Sequence, residues 1–271
     1  DMLATFFVHD GGDTQKWRLK GHAENEFWKW MASWSVLLRK PSDLGYKNDG
    51  YDLPALQQTQ HLVSADYEPC VDTGLLFPME ARTLQERIGA RRATVENRVK
   101  LAADITPDDR PFVWWCNLNS ESDALVRAIP DAVQVQGSDK DEIKEQKLID
   151  FSEGKIRVLV TKPKISGFGM NWQHCADTGF VGLNDSFEQV YQAIRRFWRF
   201  GQKKQVNVNF IASELEGAVV QNLRRKENDA ERMADAMVAH MSDLSKLNIG
   251  GVSRTISIYN PTEEMELPSW L

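Results

Sequence analysis

The chain has 271 residues, 42% of them hydrophobic with nine tryptophans, and a formal net charge of −6, enough to bury the core of one large domain or two modest ones. No apolar run approaches the ~20 residues a membrane span needs, the start DMLATFFVHDGGD lacks the basic region of a secretory signal, and an acidic total gives no general affinity for nucleic acid, although a local basic face can still bind it. Cys70, Cys116 and Cys175 are odd in number and far apart, which suggests neither a disulfide frame nor a CxxC metal knuckle and fits a reducing, cytoplasmic setting.

Along the chain, residues 1 to about 65 are rich in tryptophan. In AENEFWKWMASWSVLLRK, Phe27, Trp30, Met31, Trp34, Leu37 and Leu38 recur at helical spacing and predict a helix with one apolar face, Trp28 falling off the stripe. Lys40 to Pro54 is dense in Pro, Gly, Asn and Asp and reads as a turn-rich loop. Short extended stretches are expected over Leu62 to Pro78, broken by Pro69 and Gly74. A long helix is expected over Met79 to Asp104, with Arg82, Arg87, Arg91, Arg92, Arg98 and Lys100 on its exposed side.

From Pro111 the rhythm changes. FVWWC, Phe112 to Cys116, is a continuous apolar run as expected for a strand covered on both faces. A helix at Ser120 to Ile129 and a strand at Val133 to Gln136 follow. Ser138 then caps a helix, Asp139 to Phe151, facing Ile143, Leu148 and Phe151 inward. Strands at Ile156 to Thr161, Gly179 to Leu183 and Val206 to Ile211 complete the series. Alternating strands and helices predict a parallel, three-layer α/β sheet with right-handed crossovers. A long helix over Ser213 to Leu247 and a tail with Pro261, Pro268 and Trp270 end the chain.

Two segments concentrate chemistry. TKPKISGFGMN, Thr161 to Asn171, follows a buried strand, and its glycines permit close backbone approach. SFEQVYQAIRRFWRFGQ, Ser186 to Gln202, reads as a capped helix: Val190, Ile194, Phe197 and Trp198 form the buried stripe, and Gln192, Arg196 and Arg199 share another face. Gly201 suits its C-terminal stop. Ser186 to Lys204 carries five basic residues against one acidic, a local charge of +4; a solvated basic helix end would also account for it. No GxxxxGK[ST] loop is present, so a triphosphate cannot be cradled by the usual P-loop. Asp141-Glu142 falls in a surface helix rather than at a strand end, the five histidines lack ligand spacing, and no metal site is expected.

Together these segments resemble superfamily 2 helicases. Thr161 to Asn171 is similar to motif V. Gln192 to Gln202, QAIRRFWRFGQ, is similar to motif VI in its Swi/Snf-type form, Q-A-x-x-R-x-x-R-x-G-Q, and Phe112 to Leu125 to the surroundings of motif IV. RKPSDLGY, Arg39 to Tyr46, resembles phage and prophage helicase-like proteins. Where Swi/Snf-type members carry an aspartate and W-N-P before motif VI, this chain has Gly182 and Asp185-Ser186-Phe187.

The resemblance implies a second RecA-like lobe, a parallel sheet flanked by helices, over residues 110–247. It further implies a trailing part of a first lobe or an inserted helical segment at 1–78, a connecting helix at 79–109 and a tail at 248–271. Arg196 and Arg199 would reach the γ-phosphate of ATP as arginine fingers, worth about 10³ to 10⁵ in rate. Gln192 would position them, with Gly169 and Asn171 also on the nucleotide side. Thr161, Lys162 and Lys164 would meet the nucleic-acid backbone, duplex DNA before RNA. ATP and Mg²⁺ would be the cofactors, with the Mg²⁺ ligands in a first lobe upstream. The chain opens on Asp1, which leads us to expect a fragment of such a DNA-dependent ATPase, inactive alone. Two other functions compete: a stand-alone nucleic-acid or protein adaptor built on a degenerate lobe, and a metabolic α/β enzyme with an anion site at Arg195, Arg196 and Arg199.

Overall fold

The computed structural model describes residues 2–10, 13–64, 92–166, 170–183, 186–214 and 217–250. The chain divides into two units, one of Asp1–Lys47 with Met233–Leu271 and one of Asn48–Arg232.

In the first unit, helix α1 (Met2–Phe6) leads into the antiparallel pair β1 (Phe7–Asp10) and β2 (Asp13–Leu19), followed by α2 (Glu24–Trp34). The α2 stripe is less buried than its spacing predicts. Phe27 packs edge-on against Phe6 and Phe7, at centroid distances of 5.4 and 5.3 Å, but Trp30 and Trp34 are 38% and 60% exposed. In the turn-rich loop, the buried Asp43 carboxylate accepts from the backbone N–H of Arg39 at 2.8 Å.

The second unit is built on six parallel strands in the order β3-β8-β7-β4-β6-β5. They are β3 (Leu56–Val63), β4 (Phe112–Trp115), β5 (Ala132–Gln134), β6 (Val158–Thr161), β7 (Asp177–Phe180) and β8 (Val206–Ser213). Helices α3 (Val95–Ile105), α4 (Asn119–Ala128), α5 (Asp141–Ser152), α6 (Pro163–Ser166), α7 (Phe187–Ile194) and the start of α8 (Gly217–Gly250) connect and follow them. This is the parallel sheet flanked by helices that the alternation of strands and helices predicts. Its edge strand β3 comes from upstream of residue 110, so the sheet extends beyond the span expected for the lobe.

Strand alternation sends neighbouring residues to opposite faces. Val113, Trp115, Leu159, Val208 and Phe210 pack on one side with Phe151, Val190, Ile194 and Phe197. Phe112, Trp114, Val158, Val160 and Ile211 pack on the other with Val99, Ala102 and Leu125. Both faces are dry, which is why the strands read as unbroken apolar runs.

Three local expectations change. The helix expected from Asp139 begins at Asp141, and Ser138 does not cap it. Instead the Asp139 carboxylate accepts from the N–H of Gln136 at 3.1 Å and from Lys147 at 2.9 Å. Ile143 is exposed, while Phe151 is fully buried. Arg98 is wholly buried rather than solvated. Of the extended stretches expected over Leu62 to Pro78, residues 65–78 lie outside the described part, and of the long helix expected over 79–104, residues 79–91 do.

Candidate functional site

Helix α7 starts as its sequence predicts: the Ser186 hydroxyl accepts from the N–H of Gln189 at 3.4 Å, and Val190, Ala193 and Ile194 are buried. It stops at Ile194, earlier than the apolar spacing predicts. The chain then tightens, with Arg196 N–H donating to Ala193 at 3.2 Å and Phe197 N–H to Ile194 at 3.0 Å, the i→i+3 pattern of a 3₁₀ turn. This winding drives Phe197 into the core against Trp115 and Trp172, at 6.3 and 5.9 Å. Gln192 therefore lies half-buried in the last helical turn, and Arg196 and Arg199 sit in the turns beyond it rather than on a shared helix face.

The three arginines have three environments. Arg195 lies over the rings of Tyr191 and Trp198, at 5.4 and 5.1 Å, and donates to the Tyr191 hydroxyl and the Trp198 carbonyl at 3.1 Å each. Arg196 is buried and donates to the Met170 carbonyl at 3.1 Å, while its own carbonyl accepts from Trp172 N–H at 3.0 Å. Burial first, and then the charge of Arg199, pull its guanidinium below its ordinary pKa. Arginine stays protonated nonetheless, so an incoming anion would relieve this repulsion. Arg199 is exposed.

The turn is fastened from several sides. Gln202 is buried; its amide donates to the carbonyls of Gln173 and Phe197 at 3.0 and 3.2 Å, and its oxygen accepts from the N–H groups of Lys203 and Lys204 at 2.9 Å each. Gln173 donates in turn to the Phe200 carbonyl. Trp198 Nε1 donates to the Pro54 carbonyl at 2.7 Å. Gly201, at φ +91°, makes the left-handed step that a side chain would strain.

The segment after β6 starts at the opposite, C-terminal edge of the sheet. Thr161 is fully buried, its hydroxyl 3.0 Å from that of Ser166 and 3.4 Å from the Val135 carbonyl; it is engaged inside rather than turned to a ligand. Lys162 donates to Asn119 Oδ1 at 2.6 Å and borders an open groove of about 390 Å³ with Arg92, Asn117, Leu118 and Ser120. Lys164 and Asn171 are exposed; Gly169 lies outside the described residues. α6 packs on α7. Residues 162–176 thus run from the C-terminal end of β6 to the N-terminal end of β7. The lysines and Asn119 lie at the start of this crossover and the arginine turn at its far end, so the structure joins the two expected patches through one connection rather than in one pocket.

Sequence reasoning missed the pair beneath the groove. Glu121 accepts from Arg98 at 2.7 Å and from the N–H groups of Asn117 and Leu118 at 2.8 and 2.9 Å, and Arg98 also donates to the Val181 carbonyl. A Cβ at Gly182 would come within 2.5 Å of the Glu121 carboxylate, so the glycine at this departure from the Swi/Snf pattern leaves room for it. Among the described residues, no three His, Cys, Asp or Glu side chains are grouped to hold a metal, and no helix is long and apolar enough to cross a membrane.

No family model matches the chain, and no curated protein matches its sequence. Solved structures with a similar fold include the C-terminal part of the Fun30 ATPase domain, 19% identical over 48% of this chain and 45% of that one, with a TM-score of 0.42. The C-terminal domain of the DEAD-box protein Dbp5 is 12% identical over 65% of this chain and 87% of that one, TM-score 0.44. The RNA helicase Prp28 from Chaetomium thermophilum, bound to ADP, is 14% identical over 65% of this chain and 37% of that one, TM-score 0.46. The chain thus aligns with less than half of the Fun30 and Prp28 structures.

Proposed function

We propose that the six-stranded unit is the C-terminal lobe of a superfamily 2, Swi/Snf-type ATPase that tracks duplex DNA, and that Arg196 and Arg199 act on the γ-phosphate of ATP held by a first lobe upstream. The observation that carries this reading is the double tie between Arg196 and the residues after the glycine segment, Met170 and Trp172. A shift of the 162–176 crossover would move the arginine turn with it, which is what coupling between strand contact and hydrolysis requires. In that role Lys162 and Lys164 meet backbone phosphates, where each neutralised charge adds salt-dependent affinity.

The residues present fit the phosphate end of ATP and not the whole nucleotide. Two guanidiniums, one exposed and one held at its edge, suit a polyanion; no P-loop is present in the sequence to hold the β-phosphate. When bound, ATP supplies the phosphoryl group, and Mg²⁺, held elsewhere, neutralises its oxygens. This chain contributes positioned positive charge. Arginine suits the task because its planar fork pairs with phosphate oxygens and keeps its proton.

The test is DNA-stimulated hydrolysis by the protein including its upstream lobe. Arg199→Ala lowers kcat by about 10³-fold or more without loss of fold, and residues 1–271 alone hydrolyse nothing. Full activity in Arg199→Ala, or hydrolysis by 1–271 that Arg196→Ala abolishes, overturns the reading.

A further inference from the structure

The Arg199 guanidinium is exposed, and among the described residues nothing holds it by a hydrogen bond or ion pair. Its aim is therefore set through its backbone. Part of the hold on that backbone comes from the loop that precedes β3. Leu56 pairs with Val206 in the parallel strands, and the Val206 N–H donates to the Ala55 carbonyl at 3.0 Å, so the segments that lead into β3 and β8 are neighbours. Two contacts tie them, one on each side of Arg199. Trp198 Nε1 donates to the Pro54 carbonyl at 2.7 Å. The Phe200 ring lies against the Tyr51 ring, with centroids 4.8 Å apart and planes 31° apart, within the range of about 4.5–7 Å over which rings attract beyond the area they bury. Both rings stay largely in water, 52% and 60% exposed, so the pair adds little to the core; what it fixes is the residue next to Arg199.

Each half of the clasp is itself shaped. Tyr51 closes a turn through its N–H to the Asn48 carbonyl at 2.7 Å, with Gly50 at φ +79°. The Phe200 carbonyl accepts from Gln173, just before the left-handed step at Gly201. The loop is not a phosphate site in its own right: Asp49 and Asp52, both exposed, flank Tyr51 and would repel an anion. Any support it lends to phosphate binding passes through Arg199. We infer that Tyr51 and the Pro54 carbonyl are positioning groups for Arg199, clasping the residues on both sides of it so that its guanidinium is presented to a phosphate group. The inference rests on the phosphate role proposed for Arg199. It gives a task to the turn-rich loop, which lies outside the helicase-like motifs, and to Phe200, which occupies an unspecified position of Q-A-x-x-R-x-x-R-x-G-Q.

The test is a double-mutant cycle on residues 1–271, with binding of inorganic tripolyphosphate read by phosphorus NMR at low ionic strength. A lost contact can shift the placement of Arg199 only by the free energy it supplied, so Tyr51→Ala weakens tripolyphosphate by roughly 2- to 10-fold. Phe200→Leu, which keeps bulk without a ring, does the same, whereas Tyr51→Phe, which keeps the ring, binds as the parent does. In an Arg199→Ala background Tyr51→Ala has no further effect. Both ring positions are exposed, thermal unfolding verifies that each variant folds, and Phe200→Leu carries the cycle if Tyr51→Ala does not fold. A loss of the same size with and without Arg199 overturns the positioning role, because general loosening of the turn would give that result. Undiminished binding in Tyr51→Ala, with Arg199→Ala still weakened, overturns the clasp and leaves the phosphate role standing. Binding unchanged in Arg199→Ala, or absent in the parent, overturns the phosphate role and the clasp with it.

Discussion

Arg98 and Glu121 form an ion pair 2.7 Å long with both side chains fully removed from solvent. The pair joins α3 to the N-terminal turn of α4, and through Val181 to the end of β7. Charges this deep cost several kcal/mol each to desolvate, and only close geometry with added hydrogen bonds returns that cost. Glu121 meets this condition with two backbone N–H donors, Arg98 with the Thr94 hydroxyl at 3.2 Å and the Val181 carbonyl.

Arg98→Met therefore strands a buried carboxylate and lowers stability by about 3–5 kcal/mol, read from the urea midpoint. Adding Glu121→Gln to it recovers part of the loss, because the amide oxygen still accepts from Asn117 or Leu118. A single-variant loss within the ~0.5 kcal/mol of a surface change would count against the pair. Gly182→Ala crowds the same carboxylate and costs about 1–3 kcal/mol.

Gln202 makes four hydrogen bonds from one side chain. Gln202→Ala leaves the N–H groups of Lys203 and Lys204 and two carbonyls without it, at a cost of about 1–3 kcal/mol. Gln202→Glu keeps the acceptor and loses both donations, so its thermal midpoint falls between the two. Identical midpoints for alanine and glutamate would show that the two accepted bonds, from the N–H groups of Lys203 and Lys204, carry nothing.

His174 links pH to stability. Burial, chiefly, holds its pKa below the ordinary value, with the Lys204 charge acting in the same direction and a bond to the Phe151 backbone opposing it. The unfolded chain thus takes up a proton first as pH falls below about 6.5. The stabilisation is complete above that pH and is lost on acidification through the folded pKa. Urea titrations at pH 7.5 and 5.5 show a smaller loss for His174→Gln than for the parent. Equal losses would rule out this histidine as a source.

Cys116 and Cys175 act at the other end of the scale. Burial pushes both thiols up to about 12, so the fold keeps them protonated while the unfolded chain begins to ionise near 8.5. Stability contributed by each thiol is full below that pH and falls as pH rises toward 12. Mass spectrometry after alkylation at pH 8.5 finds both unmodified until the protein unfolds; rapid labelling of either in the folded state would refute the burial.

The α/β alternation was legible because strands covered on both faces leave long apolar runs, as in FVWWC and VLVT. β3 was not: QQTQHLV is largely polar because the strand lies at the sheet edge with much of it half-buried. The apolar spacing of Ile194, Phe197 and Trp198 fits a continued helix and a 3₁₀ turn equally well, and only the reach of Phe197 to Trp115 decides between them. Arg98 was read as solvated because charge normally faces water; its partner lies 23 residues away, beyond any local pattern. The arginine cluster itself was plain in the sequence, but the division of its members among an aromatic clamp, a buried tie and an exposed cation needed coordinates.

The bond from Trp198 to Pro54 and the pairing of β3 with β8 also have a kinetic meaning. His61 and Asn209, facing each other at 3.0 Å, are 148 residues apart in the chain, and contacts of such long sequence separation form slowly because loop closure must come first. The arginine turn is clamped by this closure. During synthesis or refolding it would reach its final shape only when the first strand of the sheet meets the last.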